Sequence, residues 1–431
     1  MKGEKVELSQ RQVQRFQVMS LVEAGKMLLK EAAEKIGLSY RQAKRIRKRV
    51  KEHGVKGLIH GNRGKRSSRR LEKRVKAKVL ELSRKVYPAF NDQHFTEKLA
   101  EREGIELSRE AVRKIRREAG IGPKRKRRGK KHRKRRERKA QEGLMVLWDG
   151  SPHAWFGADF PPCCLMAALD DATGAVLAAR FFPFEGSWGY LWLLDQLVRE
   201  YGIPVSIYQD RHGSLHRNDD HWTLEEQLAG RQELTQVGQA VAALGIQPIF
   251  ALSPEAKGRI ERLFGTLQDR LVAELGLAGI QGLEDANAFL ESTFIRAYNR
   301  RFAVMPKDSE KAWRLVPAGF DLRRVISFRY SAKVGLDNTA RLGGMVMDIP
   351  PGPKGRSYAR AKVEVRQLLD GSWRIYHQNQ LIARHPSTAL KEPIRALRRK
   401  PESRGGPLSP SYVYSASAPP TQNERITPGS T

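Results

Sequence analysis

The basic residues of this chain are concentrated in its first third. Residues 1–140 contain 46 Lys and Arg against 16 Asp and Glu, a formal balance of +30, whereas the other 291 residues contain 34 and 31, a balance of +3. A strongly basic segment joined to a nearly neutral remainder is typical of a protein that binds a polyanion, most simply a nucleic acid. At 431 residues the chain is long enough for about three domains with cores of their own.

The cysteines and the apolar runs exclude several classes of protein. The two cysteines, Cys163 and Cys164, are adjacent, so neither a disulfide framework nor a four-cysteine zinc site is available. No apolar run approaches the roughly 18 residues of a membrane span, and the charged N-terminus lacks the apolar segment of a signal peptide. Gly64-Lys65 is followed by Arg66, so the phosphate-binding motif of P-loop ATPases is missing. We therefore expect a reduced intracellular compartment, no membrane partner and no ATP.

A helix-turn-helix pattern lies within residues 1–56. A short helix is followed by Gly37, which favours a turn, and by Ser39, which favours a helix N-cap. The next helix, from Tyr40 to about His53, has one apolar face and is otherwise densely basic, as expected of a helix that enters the major groove. A solvated basic helix beside a small helical core is the alternative interpretation. The residues predicted to contact DNA here are Arg41, Lys44, Arg45 and Lys48.

A second helical unit is predicted over residues 71–122, after a Gly-, Ser- and Arg-rich linker at 57–70. It repeats the order of helix, Gly turn, Ser cap and basic helix, which favours a second helix-turn-helix or winged-helix-like DNA-binding domain. The residues predicted to contact DNA here are Arg113, Lys114 and Arg117. A basic linker follows at 123–141, with 13 Lys or Arg in residues 123–139, and it would bind phosphates without reading sequence.

From residue 142 the composition changes to apolar segments separated by turns. Residues 142–305 predict three strands, a helix, a strand, a helix, a strand and a final helix. This order predicts an α/β RNase H-like catalytic core, with helices on the faces of a mixed sheet. Residues 306–390 predict a small β-barrel-like C-terminal domain with a hairpin turn at Asp370-Gly371. Residues 391–431 predict a disordered tail, so the expected fold is multidomain, with all-α units before the α/β core.

Three acidic residues stand where such a core would carry chemistry. Asp149 is predicted to end the first strand, Asp210 to end the fourth, and Glu261 to lie one turn into the last core helix. Because the first and fourth strands are neighbours in an RNase H-like sheet, both aspartates should meet at one edge. Three carboxylates there would repel each other without cations, and Mg²⁺ prefers carboxylate oxygens. Two such ions can activate a nucleophile and stabilise a leaving oxygen in phosphodiester chemistry.

Other residues near these positions have competing interpretations. Asp170 and Asp171 are rivals for a metal site, but a hairpin turn gives them a simple structural reason. His153 is a possible auxiliary residue that either contacts the scissile phosphate or caps the strand exit. Lys257 and Arg259 are predicted to hold a DNA strand near the metals, with ordinary solvation as the alternative.

Several motifs of the chain resemble those of one enzyme family. They are Asp149–Trp155 (DGSPHAW), Asp170–Gly174 (DDATG), Tyr201–Pro204 (YGIP), Gln209–His212 (QDRH) and Ser253–Arg262 (SPEAKGRIER), with Phe90–Gly120 in the second helical unit. Together they resemble DDE-type insertion-sequence transposases with a retroviral-integrase catalytic core, and most closely the ISNCY family. The resemblance covers about residues 20–305.

The resemblance implies that Asp149, Asp210 and Glu261 are the catalytic residues and the ligands of two Mg²⁺ or Mn²⁺ ions. Fifty residues separate Asp210 from Glu261, more than is common among integrases, so an inserted loop and helix are predicted near residues 211–239. The implied enzyme is a polynucleotidyl transferase. It would bind the terminal inverted repeats of its insertion sequence, cleave the DNA at 3′ ends and transfer the strands into target DNA.

The implied partners are double-stranded DNA, as transposon ends and as target, and at least one further copy of the chain, because two ends must be joined together. The implied location is the bacterial cytoplasm, at the nucleoid. Two alternatives stay open: a catalytically inactive DNA-binding regulator derived from a transposase, and an RNase H-like nuclease that cuts without joining.

Overall fold

A computed structural model describes residues 7–60, 62–63, 71–124, 129, 136–157, 160–251, 257–388 and 394. The chain divides into two compact units, residues 1–126 and 127–431. The predicted tail lies outside the described residues apart from Ile394, and so do residues 64–70 of the first linker and most of the basic run. No helix in the described ranges has the length and apolar character needed to cross a bilayer.

The first unit is helical. Its helices are α1 (Gln10–Glu23), α2 (Leu29–Lys35), α3 (Tyr40–His53), a short 3₁₀ helix (Gly54–Leu58), α4 (Lys73–Lys85), α5 (Asp92–Glu103) and α6 (Arg109–Glu118). The predicted caps are confirmed, because the Ser39 hydroxyl accepts the Gln42 amide and the Ser108 hydroxyl accepts the Ala111 amide. The predicted turn glycine Gly37 has a φ of 65°, in the left-handed region that glycine adopts readily.

The second unit is built around a five-stranded sheet. Its elements are β1 (Val146–His153), β2 (Cys163–Asp170), β3 (Val176–Phe182), α7 (Ser187–Glu200), β4 (Ser206–Gln209), α8 (Leu224–Ala229), α9 (Gln236–Ala243), β5 (Gln247–Phe250), α10 (Gly258–Leu277), α11 (Leu283–Phe289), a π-helical turn (Leu290–Phe294) and α12 (Ile295–Phe302). The strand order is β3-β2-β1-β4-β5. The first three strands are antiparallel, whereas β4 runs parallel to β1 and β5 parallel to β4. The predicted mixed sheet and the adjacency of the first and fourth strands are confirmed.

Each face of this sheet is buried under helices, and the side chains of β1 and β2 alternate between the faces. Trp148 and Met166 join the apolar cluster under α7 and α9. Leu147 and Leu165 join the opposite cluster, under α10, α11 and α12. Because Asp149 is two residues after Leu147 in the same strand, it lies on the face that α10 covers.

The described residues of the C-terminal part form no closed barrel, so the predicted barrel-like domain is not confirmed. Its elements are α13 (Leu322–Val325), β6 (Ser327–Lys333), β7 (Thr339–Leu342), β8 (Met345–Asp348), β9 (Lys362–Leu368), β10 (Trp373–His377) and β11 (Gln380–His385). Four strands pair in the order β11-β10-β9-β6, which leaves β11 and β6 as opposite edges. The sequence did not predict β7 and β8, which form a two-stranded hairpin joined to the end of β6 by a bridge between Val334 and Ala340. The predicted turn is confirmed, with Gly371 at a φ of 83°.

This C-terminal sheet shares a core with the five-stranded sheet. Ile326 and Phe328 are buried in the same apolar cluster as the inner face of α7. The Phe328 ring lies 5.3 Å from that of Trp188 on α7, between centroids. The side chain of Gln236 on α9 accepts the Arg329 amide at 2.7 Å and donates to the Arg329 carbonyl at 2.9 Å. The apolar surface of α7 is therefore completed by residues from the C-terminal part.

Candidate active site

The structure brings two of the three predicted acids together around one lysine. In the parallel pairing of β1 and β4, Leu147 lies opposite Tyr208, which places Asp149 and Asp210 at equivalent heights two residues further on. The Lys257 Nζ lies 2.9 Å from Asp149 Oδ1 and 3.0 Å from Asp210 Oδ2. The Asp149 and Lys257 side chains are 14% and 13% exposed, so the contact is largely withdrawn from water.

The position of Asp149 differs from the prediction in one respect. The strand does not end at Asp149 but continues to His153, because β1 pairs with β2 along its whole length, up to His153 opposite Cys163. Asp210, in contrast, directly follows β4, as predicted.

Burial and neighbouring charges shift the pKa values of Asp149 and Lys257. Burial raises the pKa of Asp149 to about 6, with smaller contributions from Asp210 and Glu185, while Lys257 acts in the opposite direction. Burial alone would lower the pKa of Lys257, but the two carboxylates outweigh it, and the net pKa is raised. The site therefore favours a cation between the two aspartates.

Hydrogen bonds next to the aspartates fix the strand ends. The buried Trp148 Nε1 donates to Gln209 Oε1 at 2.9 Å, which ties β1 to β4 one residue before each aspartate. Asp210 Oδ1 accepts the His212 amide at 2.8 Å. Sequence reasoning missed Gln209, although a polar residue at the end of an apolar strand was a usable signal.

Glu261 lies in the first turn of α10, four residues after Lys257, which directly precedes the helix. Its side chain is exposed. Within the described part of the chain, no three His, Cys, Asp or Glu side chains are grouped closely enough to hold a metal ion. The loop before the helix, residues 252–256, lies outside that part. The apolar face of α10 is buried and contains Ile260, Phe264, Leu267 and Leu271.

An acid that the sequence did not single out lies beside the pair. Glu185, in the turn before α7, is so close to Gly150 that a Cβ there would lie 2.6 Å from its Cδ. The Tyr190 hydroxyl donates to Glu185 Oε1 at 2.6 Å. Because position 150 is a glycine, the Glu185 carboxylate can approach the residue next to Asp149. A glycine directly after a candidate catalytic aspartate was the feature of the sequence that could have indicated this close approach.

The rival acids Asp170 and Asp171 have structural partners. Asp170 accepts the Gly143 amide at 3.1 Å, the Thr173 amide at 2.8 Å and the Thr173 hydroxyl at 2.7 Å, as a turn residue does. Asp171 is paired with Arg259, whose Nη1 lies 2.5 Å from its Oδ1.

His153 lies four residues along β1 from Asp149, which is about 13 Å at the usual rise of a strand. Its ring packs against Trp155, with centroids 5.3 Å apart. The predicted auxiliary residue is therefore well separated from the aspartate pair.

The two predicted DNA-binding helices use their cations differently. On α3 the four predicted contacts, Arg41, Lys44, Arg45 and Lys48, are all exposed, while the apolar face is buried. On α6, Arg113 and Lys114 are exposed, but Arg117 donates to Asp92 Oδ2 at 2.5 Å and to the Ile121 carbonyl at 2.6 Å.

The predicted insertion contains a small structure of its own. Arg217 pairs with the buried Glu226 of α8, which also accepts the Thr223 and Glu233 amides at 2.8 and 2.7 Å. In contrast, Val237 and Val241 of α9 are buried in the main core. Leu215 is buried in the same core, so the segment predicted to be an insertion packs partly into the main core.

Comparison with known proteins shows which family this chain belongs to. A family model described as "Winged helix-turn helix" matches residues 15–77. The chain is 37% identical over 367 residues to "Putative transposase y4bF" of Sinorhizobium fredii (strain NBRC 101917 / NGR234), covering 85% of this chain and 79% of that protein. It is 32% identical over 331 residues to "Transposase for insertion sequence IS1202" of Streptococcus pneumoniae, covering 69% of each. The chain belongs to the transposase family.

Two solved structures with weaker similarity are viral integrases. One is a simian T-cell lymphotropic virus intasome in complex with PP2A regulatory subunit B56 gamma, at 12% identity and a TM-score of 0.27, covering 58% of this chain and 84% of that chain. The other is the HTLV-2 integrase catalytic core domain in complex with magnesium, at 16% identity and a TM-score of 0.24, covering 36% and 90%. Overlaps with TM-scores this low do not establish a common fold. The description of the fold therefore depends on the strand order and the strand pairing of this chain.

Proposed function

We propose that this transposase is a DDE polynucleotidyl transferase that cleaves its insertion sequence at 3′ ends and joins them to target DNA. The observation that carries the proposal is the pair of aspartates from neighbouring strands, Asp149 and Asp210, which share one buried cation, the Lys257 ammonium. Glu261, in the first turn of the helix that follows Lys257, would supply the third carboxylate. The sheet order β3-β2-β1-β4-β5 supports the RNase H-like core that this chemistry needs.

The donor set fits Mg²⁺ or Mn²⁺. Two carboxylates already accommodate a positive charge between them, and burial raises the pKa of Asp149, so ionisation there is favoured by a strong cation. When bound, two such ions would activate the attacking oxygen and stabilise the charge that develops at phosphorus. The chain's own contribution is to hold the acids. The Trp148–Gln209 bond fixes the two strand ends, and Lys257 balances the carboxylates without metal.

The N-terminal helices would bring the DNA. The exposed cations of α3 (Arg41, Lys44, Arg45 and Lys48) suit a recognition helix at the terminal inverted repeats. Joining two ends at once requires at least a dimer on DNA. Contacts to phosphates would make the affinity fall steeply with salt.

An end-joining assay tests the proposal. The protein is incubated with Mg²⁺, a duplex ending in the DNA that flanks its own gene, and a plasmid target. We expect joined product from wild type, none from Asp210→Asn or Glu261→Gln, and an unchanged yield from Asp348→Asn, a control at an exposed position of β8.

Each other outcome selects one of the alternatives. Cleavage without joining would favour the nuclease. Tight, specific binding with neither product would favour the inactive regulator. Equal joining by wild type and Glu261→Gln would remove Glu261 from the site.

A further inference from the structure

A second carboxylate centre lies beside the candidate active site, at the turn after β2. Asp171 is fully buried, and both of its oxygens are occupied. Arg136 reaches Oδ1 at 2.5 Å and Oδ2 at 3.2 Å, the Lys139 amide donates to Oδ2 at 2.8 Å, and Arg259 reaches Oδ1 at 2.5 Å. We call Asp171, Arg136, Arg259 and the Lys139 amide the Asp171 clamp.

Further bonds join the members of the Asp171 clamp to each other. Arg259 Nη2 donates to the Arg136 carbonyl at 2.7 Å. Arg138 Nη1 donates to the carbonyls of Asp171 and Ala172, each at 3.2 Å. The last residues of the basic run are thus fastened to the β2–β3 turn and to the first turn of α10.

The hairpin turn itself does not need this carboxylate. Asp170 already accepts both the amide and the hydroxyl of Thr173 across the turn. Asp171 instead faces charged partners from two distant segments, 35 residues before it and 88 residues after it. A buried carboxylate with two guanidinium partners is costly to disrupt, because removing it leaves two cations without compensation.

In the first turn of α10, Ile260 packs into the apolar cluster on that face of the sheet. The helix begins without a side-chain cap bond. Its start is held by Lys257, through Asp149 and Asp210, and by Arg259, through Asp171. A metal ion held by the same two aspartates competes with Lys257 for them. The Arg259–Asp171 pair is an ion pair of this turn that does not depend on those aspartates.

We propose that Asp171 is a positioning residue for the active site. Through Arg259 it fixes the first turn of α10, and with it Glu261, two residues further along the helix. Through Arg136 and the Lys139 amide it couples that position to the end of the basic linker. The inference rests on the proposed role of Glu261 as a metal ligand.

The test uses the full-length protein and the variant Asp171→Asn, which keeps the shape of the side chain. Asp195→Asn is the matched control, because Asp195 is also paired with an arginine, Arg199 at 2.8 Å, but on α7. Hydrogen exchange is measured without DNA or metal. We expect the amides of residues 261–264, the first that can bond within the helix, to exchange at least about tenfold faster in Asp171→Asn than in wild type or the control. Unchanged exchange in this turn would overturn the proposal.

Direct Mn²⁺ binding, measured by calorimetry, tests whether the effect passes through Glu261. Loss of a residue that orients a metal ligand typically costs about 10–100-fold in metal affinity, and we expect a loss in this range for Asp171→Asn. In a Glu261→Gln background, Asp171→Asn should cause no further loss. An equal loss in both backgrounds would overturn the positioning role.

A second pair of variants covers the case in which Asp171→Asn does not fold. Arg259→Lys keeps one charge for Asp171 and should retain most of the Mn²⁺ affinity, whereas Arg259→Met should lose it. Equal affinities in these two variants would also contradict the proposal. Failure of the proposed function has a different signature, since Glu261→Gln would then leave Mn²⁺ binding unchanged while the exchange experiment still reports on the Asp171 clamp.

Discussion

Two clusters of charge hold the start of α10, and they differ in which charge is in excess. Around Lys257, two carboxylates face one ammonium, and the pKa of Asp149 is raised by burial, with smaller contributions from Asp210 and Glu185. Around Asp171, one carboxylate faces two guanidinium groups. The first cluster lacks positive charge, whereas the second is compensated within the chain. Acidic residues thus suggest a metal site when the cationic side chains around them do not balance their negative charge.

The largest expected effect is on the rate at which DNA ends are joined, and it comes from the cluster around Lys257. Asp149→Asn should lower the rate of strand transfer at least about a thousandfold, because charge stabilisation by a metal is worth several kcal/mol. The rate of Asp195→Asn should stay within about twofold of wild type, as expected for a surface ion pair. Single-turnover joining with labelled ends measures both. Similar rates for the two variants would remove Asp149 from the active site.

The next effect is a pH dependence confined to the cluster around Lys257. Because the pKa of Asp149 is raised to about 6, a proton competes with metal there, and Mn²⁺ affinity should fall about tenfold per pH unit below 6. The stability of the metal-free protein should depend on pH in the opposite direction. Since ionisation of Asp149 is disfavoured in the folded protein, the free energy of unfolding should rise as the pH falls from 7 through 6.

Calorimetric Mn²⁺ titrations and denaturant unfolding between pH 5 and 8 check these two slopes. Asp149→Asn serves as the control and should flatten both. A wild-type affinity that stays constant between pH 5 and 6 would contradict the assignment of Asp149 as a metal ligand.

A smaller effect is expected from removing the lysine. Lys257→Met leaves Asp149 and Asp210 without their cation, so the Tm of the metal-free protein should fall, by about 2–4 °C for each kcal/mol lost. Saturating Mn²⁺ should remove most of the difference, because the metal replaces the missing charge. Thermal unfolding with and without Mn²⁺ measures this. A difference that persists with metal would mean that Lys257 has a structural role.

The smallest effect extends the contrast to the DNA-binding helices. Arg45 on α3 is exposed, whereas Arg117 on α6 is bonded to Asp92. Arg45→Ala should reduce the salt dependence of DNA binding by about one phosphate contact, a change of about 0.9 in the slope of log affinity against log salt. Arg117→Ala should instead lower the Tm and leave the slope unchanged. Fluorescence anisotropy over a salt series measures the slope, and a thermal scan measures the Tm. A smaller slope for Arg117→Ala and a lower Tm for Arg45→Ala would mean that Arg117, not Arg45, contacts the DNA.

The sequence predicted the parts of the site that depend on local pattern. Apolar strands at regular spacing predicted the sheet and the meeting of Asp149 with Asp210, because strand order follows from the order of elements. The continuation of β1 was missed, since Gly150 and Pro152 are typical of a turn and only pairing with β2 keeps them extended.

Long-range pairing was beyond the sequence. Arg259 was predicted to contact DNA, and nothing local to it reveals a partner 88 residues away. The open C-terminal sheet was missed for the same reason, because strand signals predict elements but not whether the outer strands meet.

The sharing of apolar surface between α7 and the C-terminal sheet limits how this protein can be divided. Ile326 and Phe328 are 2% and 0% exposed, and both cover the core that α7 closes. A fragment that stops after α12 would uncover this apolar patch, and such patches promote aggregation. The catalytic core could therefore not exchange its C-terminal part for an unrelated module, in evolution or by engineering, unless the apolar surface of α7 that Ile326 and Phe328 cover were rebuilt at the same time.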